Sequence, residues 1–219
     1  LRDYFDLTIY RDLIERYRIK NTWLVKWLMG VFVSSVAKEF SINKAYLNLA
    51  STGNKVSKNT LYEYFSMLED AFFMFTVKKF ARSKKKEGLS KPKIYLNDVG
   101  FLNLYSLEYY GKRLENIVFL NLISKRNQAP LTEVHYWKST SGKEVDFIIS
   151  EGGKPSSAIQ VSYDISKSET KEREISALLA CLEELNLDEG IILTYDQEET
   201  IKEGGKTILV KPVWKWLLK

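Results

Sequence analysis

Residues 142–149, Gly142-Lys143-Glu144-Val145-Asp146-Phe147-Ile148-Ile149, alternate polar and apolar side chains, and Ala158-Ile159-Gln160-Val161-Ser162 does the same soon after. A period of two is the signature of a strand with one polar and one buried face. Glu144 and Asp146 therefore share one face while Val145 and Phe147 share the other, and Gln160 and Ser162 form a second polar pair. Gly152, Gly153 and Pro155 lie between the two segments and supply the turn residues of a hairpin. Adjacent strands would then carry a row of acidic and polar groups on one face. Hard divalent cations are held by oxygen ligands set close together in this way. The plainer alternative is the solvated side of ordinary half-buried strands.

The chain of 219 residues is long enough for one large domain or two small ones, and for a substantial core. A hydrophobic fraction of 45% and a charged fraction of 28% are those of a globular protein. No apolar run approaches the length of a bilayer span and no signal peptide opens the chain, so no membrane partner and a cytoplasmic location are expected. Cys181 is the only cysteine, which excludes an internal disulfide and a cysteine-based zinc site. It falls within a helical apolar pattern and reads as a small core residue. The chain begins at Leu1, already inside a periodic pattern, and is expected to be a piece of a longer protein.

Charge is unevenly placed. Between Lys78 and Lys93 stand eight basic residues and one acid, Glu87, so this window holds more than the whole net charge of +5. Such a cluster attracts polyanions through its local field and counterion release, although a charge run also serves simply to keep a loop solvated.

Helical periodicity covers residues 7–20 and about 23–40; Ser41 reads as an N-cap for a short helix 42–49, and Ser57 as the cap of another, 58–70. A strand at 72–80, the basic run, and a returning strand at 93–97 follow. Helix, short helix, turn and capped helix is the order of a helix-turn-helix, and a hairpin after it is a wing with the basic run at its tip. In such a module the capped helix enters the major groove while the wing contacts phosphates. The candidate nucleic-acid-binding residues are Lys55, Lys58 and Asn59 at the start of that helix, and Lys79, Arg82, Lys84, Lys85 and Lys86 on the wing. Beyond about residue 105 the pattern changes to a helix with Leu114, Val118, Phe119 and Leu122 on its apolar face, strands at 133–138, 144–149 and 157–163, a long helix 169–185, and strands at 190–195 and 207–210. This predicts an α+β chain whose second half is a mixed sheet with helices on its faces.

The second half resembles the PD-(D/E)xK restriction-endonuclease-like fold. The resemblance rests on Glu115 in Leu114-Glu115-Asn116-Ile117-Val118-Phe119, Asp146 in Glu144-Val145-Asp146-Phe147, and Gln160-Val161-Ser162 at the Glu-x-Lys position. With Pro92-Lys93-Ile94-Tyr95-Leu96-Asn97-Asp98-Val99-Gly100 and Tyr136-Trp137, the wider chain is similar to the C-terminal region of prokaryotic, archaeal-type AAA-type ATPases. The resemblance implies a helical linker at 1–21 from an upstream ATPase domain of the same polypeptide, a winged helix-turn-helix at 22–105 and a nuclease-like α/β domain at 106–219. It implies catalytic positions at Glu115, Asp146 and Gln160, and metal ligands (Mg2+ or Mn2+) at Glu115, Glu144 and Asp146.

Two departures shape the expected function. No Gly-x-x-x-x-Gly-Lys-Ser/Thr loop occurs, so this chain holds no nucleotide site and ATP binding belongs to the parent protein. Glu-x-Lys is replaced by Gln160-Val161-Ser162, which loses a carboxylate and the cation that helps orient water and offset phosphate charge. Lys143 and Lys167 are the substitute cations within reach in sequence. The expectation is a module that binds nucleic acid, duplex DNA above all, with a degenerate cleavage centre. The alternatives are an active magnesium-dependent nuclease and a protein-interaction module docking on its ATPase or a partner. His135, the lone histidine, reads as structural.

Overall fold

A computed structural model describes Asp3, Leu7 and residues 9–104, 109–126 and 129–218. The chain divides into two compact units, residues 1–76 with 91–108, and residues 77–90 with 109–219. Among the described residues no helix is long and apolar enough to cross a membrane.

The first unit is helical around a small sheet. A π-helical segment, Ile9–Glu15, precedes α1 (Thr22–Ser34), α2 (Ile42–Ser51) and α3 (Lys58–Asp70). Each of the three α-helices starts at a side-chain cap: Asn21, Ser41 and Ser57 accept from the amides of Leu24, Lys44 and Thr60, satisfying donors that a helix start leaves open. The core packs Leu24, Leu28, Phe32, Leu49, Leu61 and Leu68. Leu13 and Ile19 are buried in the same core, so the segment expected to be a linker is part of this unit. Strands β1 (Met74–Val77) and β2 (Lys93–Leu96) pair as a two-stranded sheet. The expected helix over 23–40 stops at Ser34. Ala37 takes a left-handed φ of 57°, and residues 36–39 run beside β2 through the Ala37 N–H to Ile94 carbonyl and Ile94 N–H to Lys38 carbonyl bonds. Periodicity cannot anticipate that ending, because a distant strand causes it.

The second unit is a six-stranded mixed sheet. After α4 (Lys84–Gly88), and α5 (Phe101–Leu104) in the first unit, come α6 (Tyr110–Arg126), β3 (Thr132–Lys138), β4 (Glu144–Glu151), β5 (Lys154–Val161), α7 (Ser168–Leu185), β6 (Glu189–Thr194), β7 (Glu199–Glu203), β8 (Lys206–Pro212) and α8 (Val213–Leu217). Strand order is β3-β4-β5-β6-β8-β7. β3, β4 and β5 form an antiparallel meander, β5 is parallel to β6 and β6 to β8, and β7 returns antiparallel at the far edge. Gly152 and Gly153 turn β4 into β5 with φ of 57° and 80°, two consecutive left-handed residues that only glycine adopts cheaply.

α7 covers one face of the sheet, with Leu178, Cys181 and Leu182 against Ile148, Ala158 and Ile192. α6 lies on the other, where Phe119 stacks on Phe147 with ring centres 6.5 Å apart. The two faces follow from strand alternation, since Phe147 and Ile148 are neighbours.

The basic run departs from the expected wing. Residues 78–80 leave the β1–β2 pair and lie along the outer edge of β3. The Tyr136 N–H donates to the Lys78 carbonyl at 3.1 Å, and the Phe80 N–H to the Tyr136 carbonyl at 2.7 Å. Phe80 is buried in the second unit's core and meets the His135 ring edge-on. One apolar side chain in a charged run, beside an edge with unpaired backbone groups, accounts for the placement. Lys84–Gly88 is then a short helix rather than a hairpin tip.

Candidate functional site

The backbone ladder between β4 and β5 is last paired at Phe147 and Ile159. One step further, where Asp146 and Gln160 stand opposite each other on the α7 face, side chains take over the hydrogen bonding. The Asp146 N–H donates to Gln160 Oε1 at 3.1 Å, and the Val161 N–H donates to Asp146 Oδ2 at 3.0 Å. Gln160 Nε2 then donates to Glu174 Oε2 at 2.6 Å, and Arg173 Nη2 donates to Glu174 Oε1 at 2.6 Å. Asp146, Gln160 and Glu174 are each 7% exposed. A continuous chain of hydrogen bonds thus ties β4, β5 and α7 together at the fork of the sheet. Buried polar groups of this kind are costly unless paired, and both Glu174 oxygens have donors.

The network floors a cleft of about 420 Å³ whose walls include Gly142, Lys143, Glu144, Arg173 and Ser176. Lys143 reaches across it, donating from Nζ to Ser176 Oγ at 2.6 Å and to the Ser176 carbonyl at 3.3 Å. Glu144 is 3.4 Å from Lys138 Nζ. Glu174, through a hydrogen bond first and its charge second, raises the guanidinium pKa of Arg173, which stays a cation.

The structure therefore brings Asp146, Gln160 and Glu144 to one cleft. Glu115 does not line it. Glu115 is buried on α6, one turn before Phe119 and hence toward the Phe147 side of the sheet. Ser162 is buried at the strand's end, its hydroxyl 3.4 Å from the Asp164 carbonyl. Lys167 precedes α7 as its N-cap residue and is exposed. His135 is buried, 3.6 Å from the Glu133 carboxylate.

Glu174 was not legible as a site residue, yet a signal existed. It heads the helical stripe of Leu178, Cys181 and Leu185 at intervals of four, three and four, a charged group on the buried side.

The fit of a divalent ion can be judged from this donor set. Asp146 Oδ2 and Gln160 Oε1 are turned onto backbone N–H groups, and the Gln160 amide presents N–H rather than oxygen toward Glu174. Among the described residues no group of three or more His, Cys, Asp or Glu side chains is placed to hold a metal. In this arrangement Asp146 Oδ2 and Gln160 Oε1 both serve backbone amides of the fork.

The nucleic-acid candidates divide between the units. Lys55, Lys58 and Asn59 are exposed at the capped start of α3, beside a depression of about 540 Å³ that Tyr46, Gly53 and Lys55 help to line. The Lys58 ammonium lies over the Tyr62 ring, 5.9 Å from its centre. In the second unit Lys79 is half-buried, its N–H donating to Ser90 Oγ at 3.2 Å, while Arg82 and Lys85 are exposed. The side chains of Lys84 and Lys86 lie outside the described set.

Two relatives give this architecture a context. An uncharacterized protein of Methanocaldococcus jannaschii is 34% identical over 227 residues, covering all of this chain and 49% of its own length. An uncharacterized protein of Haemophilus influenzae is 24% identical over 168 residues, 75% of this chain and 40% of its own. The chain spans about half the length, or less, of these curated relatives. No solved structure matches it. Residues 1–109 match the profile of a domain of unknown function, DUF8612, and residues 110–216 that of another, DUF4143. The seam between the profiles, at 109/110, lies one residue from the last division between the compact units, at 108/109. The sheet-bearing half of the chain thus matches a domain found in the C-terminal regions of AAA-type ATPase-like proteins.

Proposed function

We propose that this chain is the nucleic-acid-binding C-terminal module of an AAA-type ATPase-like protein. In this reading the first unit is a winged helix-turn-helix. The second is a restriction-endonuclease-like scaffold whose cleavage centre has become a structural lock. The observation that carries the binding reading is the leading edge of α3, where Lys55, Lys58 and Asn59 stand exposed at a capped helix start. Residues 36–39, between α1 and α2, add to β2 in the first unit, an arrangement that supports the winged-helix reading. Two lysines and an asparagine there can reach phosphates and base edges of a duplex.

The non-cleaving reading rests on the fork network. Gln160 leaves no carboxylate at its position and gives its oxygen to the Asp146 amide, and Ser162 supplies no cation. Nucleotide hydrolysis would reside outside this chain, which has no phosphate-cradling loop.

Binding to a 20-base-pair duplex, followed by fluorescence anisotropy between 50 and 200 mM salt, tests both halves. Binding should weaken linearly on a log–log plot. The double variant Lys55→Gln/Lys58→Gln should reduce the slope by roughly 0.9 for each phosphate that is no longer neutralised. Incubation with Mg2+ or Mn2+ should leave the duplex intact. Absence of binding at 50 mM salt would return the chain to a protein-interaction role. Cleavage abolished by Asp146→Asn would restore the nuclease.

A further inference from the structure

Three tyrosines form a surface stack at the carboxyl ends of β5 and β6. The ring centres of Tyr163 and Tyr195 are 5.0 Å apart with planes 26° from parallel, and the Tyr110 ring lies 5.4 Å from Tyr163, tilted by 35°. The stack is built by strand register. Val161 pairs with Leu193, so Tyr163 and Tyr195, each two residues on, are neighbours across the same parallel pair. The Tyr195 N–H donates to the Tyr163 carbonyl at 3.1 Å, which continues the pairing beyond the strand ends. The 5.0 Å ring separation is close to the spacing of adjacent strands. Tyr110, the first residue of α6, completes the row.

The outer rings remain open: Tyr110 is 57% and Tyr195 55% exposed. Tyrosines grouped on a surface offer an apolar face with a polar tip, a combination enriched at interfaces. The fork network and the candidate DNA residues make no use of these rings.

Two carboxylates stand directly beside the stack. Asp164 and Asp196 follow Tyr163 and Tyr195 directly and are exposed. Asp164 is held ionised below the ordinary carboxylate range by the Ser166 N–H and hydroxyl, with Lys167 contributing in the same direction. Asp196 makes no ion pair among the described residues. Partial burial first, then the neighbouring phenols and these two carboxylates, raise the Tyr163 phenol. Nearby chemistry already shows what such rings accept, since the Lys112 ammonium sits 4.4 Å from the centre of the Tyr109 ring.

We propose that the Tyr110–Tyr163–Tyr195 stack and the two aspartates form a docking site for an arginine-bearing segment of a partner protein. A guanidinium is planar, stacks on a tyrosine face, and offers five donors in a fork that matches a carboxylate. Nucleobases also stack on aromatic rings, but a strand of nucleic acid would bring its phosphates against Asp164 and Asp196, where like charges repel. A lysine would gain the charge attraction without the planar stacking.

The test uses the whole chain and three probes of equal length: a fluorescent peptide of alternating glycine and arginine, its lysine counterpart, and an oligothymidylate. The arginine peptide should bind the tightest. Tyr195→Ala and Asp196→Asn should each raise its Kd at least fivefold. Both positions are exposed, so these variants should fold, and a far-ultraviolet circular dichroism spectrum checks this. Glu203→Gln removes one acid at the opposite end of the sheet and should leave Kd unchanged. Tyr110→Phe, which keeps the ring, should bind like the parent. Equal loss in Glu203→Gln would reduce the effect to net charge and overturn the site. Retention of affinity in Tyr195→Ala, or tighter binding of oligothymidylate, would overturn it as well. Neither result bears on duplex binding through Lys55 and Lys58.

Discussion

Replacing Gln160 with leucine removes two hydrogen bonds from the fork between β4 and β5 while keeping the side chain's approximate volume. The Asp146 N–H loses its acceptor, and Glu174 loses the donor on Oε2, in a region where all three residues are 7% exposed. A buried donor left unpaired costs about 1–3 kcal/mol, and a hydrogen bond to a charged group is worth about 1.5–3 kcal/mol. Against this, the added apolar burial of leucine returns roughly 1 kcal/mol. The expected net loss is therefore ~3 kcal/mol, which corresponds to roughly a hundredfold change in the opening equilibrium of this region. Because the chain has two units, a global melting curve would mix them. Amide hydrogen exchange at Asp146 and Val161 reads the second unit directly. In Gln160→Leu the Asp146 amide should lose protection by roughly two orders of magnitude. Glu174→Leu alone strands the Gln160 amide N–H groups and should cost about 1–3 kcal/mol. The double variant strands only the Asp146 N–H, so it should be less damaging than the two single losses added together, by about 1.5–3 kcal/mol. Strict additivity, or a Gln160→Leu effect below ~0.5 kcal/mol, which is ordinary for an uninvolved surface position, would show that the three groups do not act as one network.

Two smaller predictions concern the same half of the chain. Gly190→Ala should destabilise it by about 1–3 kcal/mol, since the new methyl would meet Leu178 Cγ and Cδ2 at 3.0 Å inside the α7–sheet interface; urea unfolding followed by circular dichroism measures this. Cys181 is fully buried, and burial, aided by Glu184, pushes its thiol well above the ordinary range. It should resist a thiol-specific reagent at pH 8 in the folded protein and react promptly in denaturant; labelling at the same rate in both conditions would contradict the burial of this face of α7.

Much of the architecture was legible from local pattern. Alternation located β4 and β5, the paired glycines located their turn, and the stripe of Leu178, Leu182 and Leu185 located α7. Ser41 and Ser57 marked helix starts because a capping hydroxyl acts on amides three residues away, well within reach of sequence reasoning. The edge strand β7 was missed: only five residues long and mostly exposed, it shows no apolar face and is held by its pairing with β8. The expected helix over 23–40 was too long for a related reason, since its last residues bond to β2 more than fifty positions away.

At the candidate site the division is sharper. Side-chain chemistry and strand parity were enough to place Asp146 beside Gln160 on one polar face, because both are properties of a few consecutive residues. Packing alone decided the rest. It put α7 on that face and so delivered Glu174, put α6 on the other and so turned Glu115 away from the cleft, and drew residues 78–80 onto the edge of β3. A local pattern states which side of an element seeks burial. Which partner buries it depends on contacts between residues far apart in the chain, and these exist only once the chain has folded.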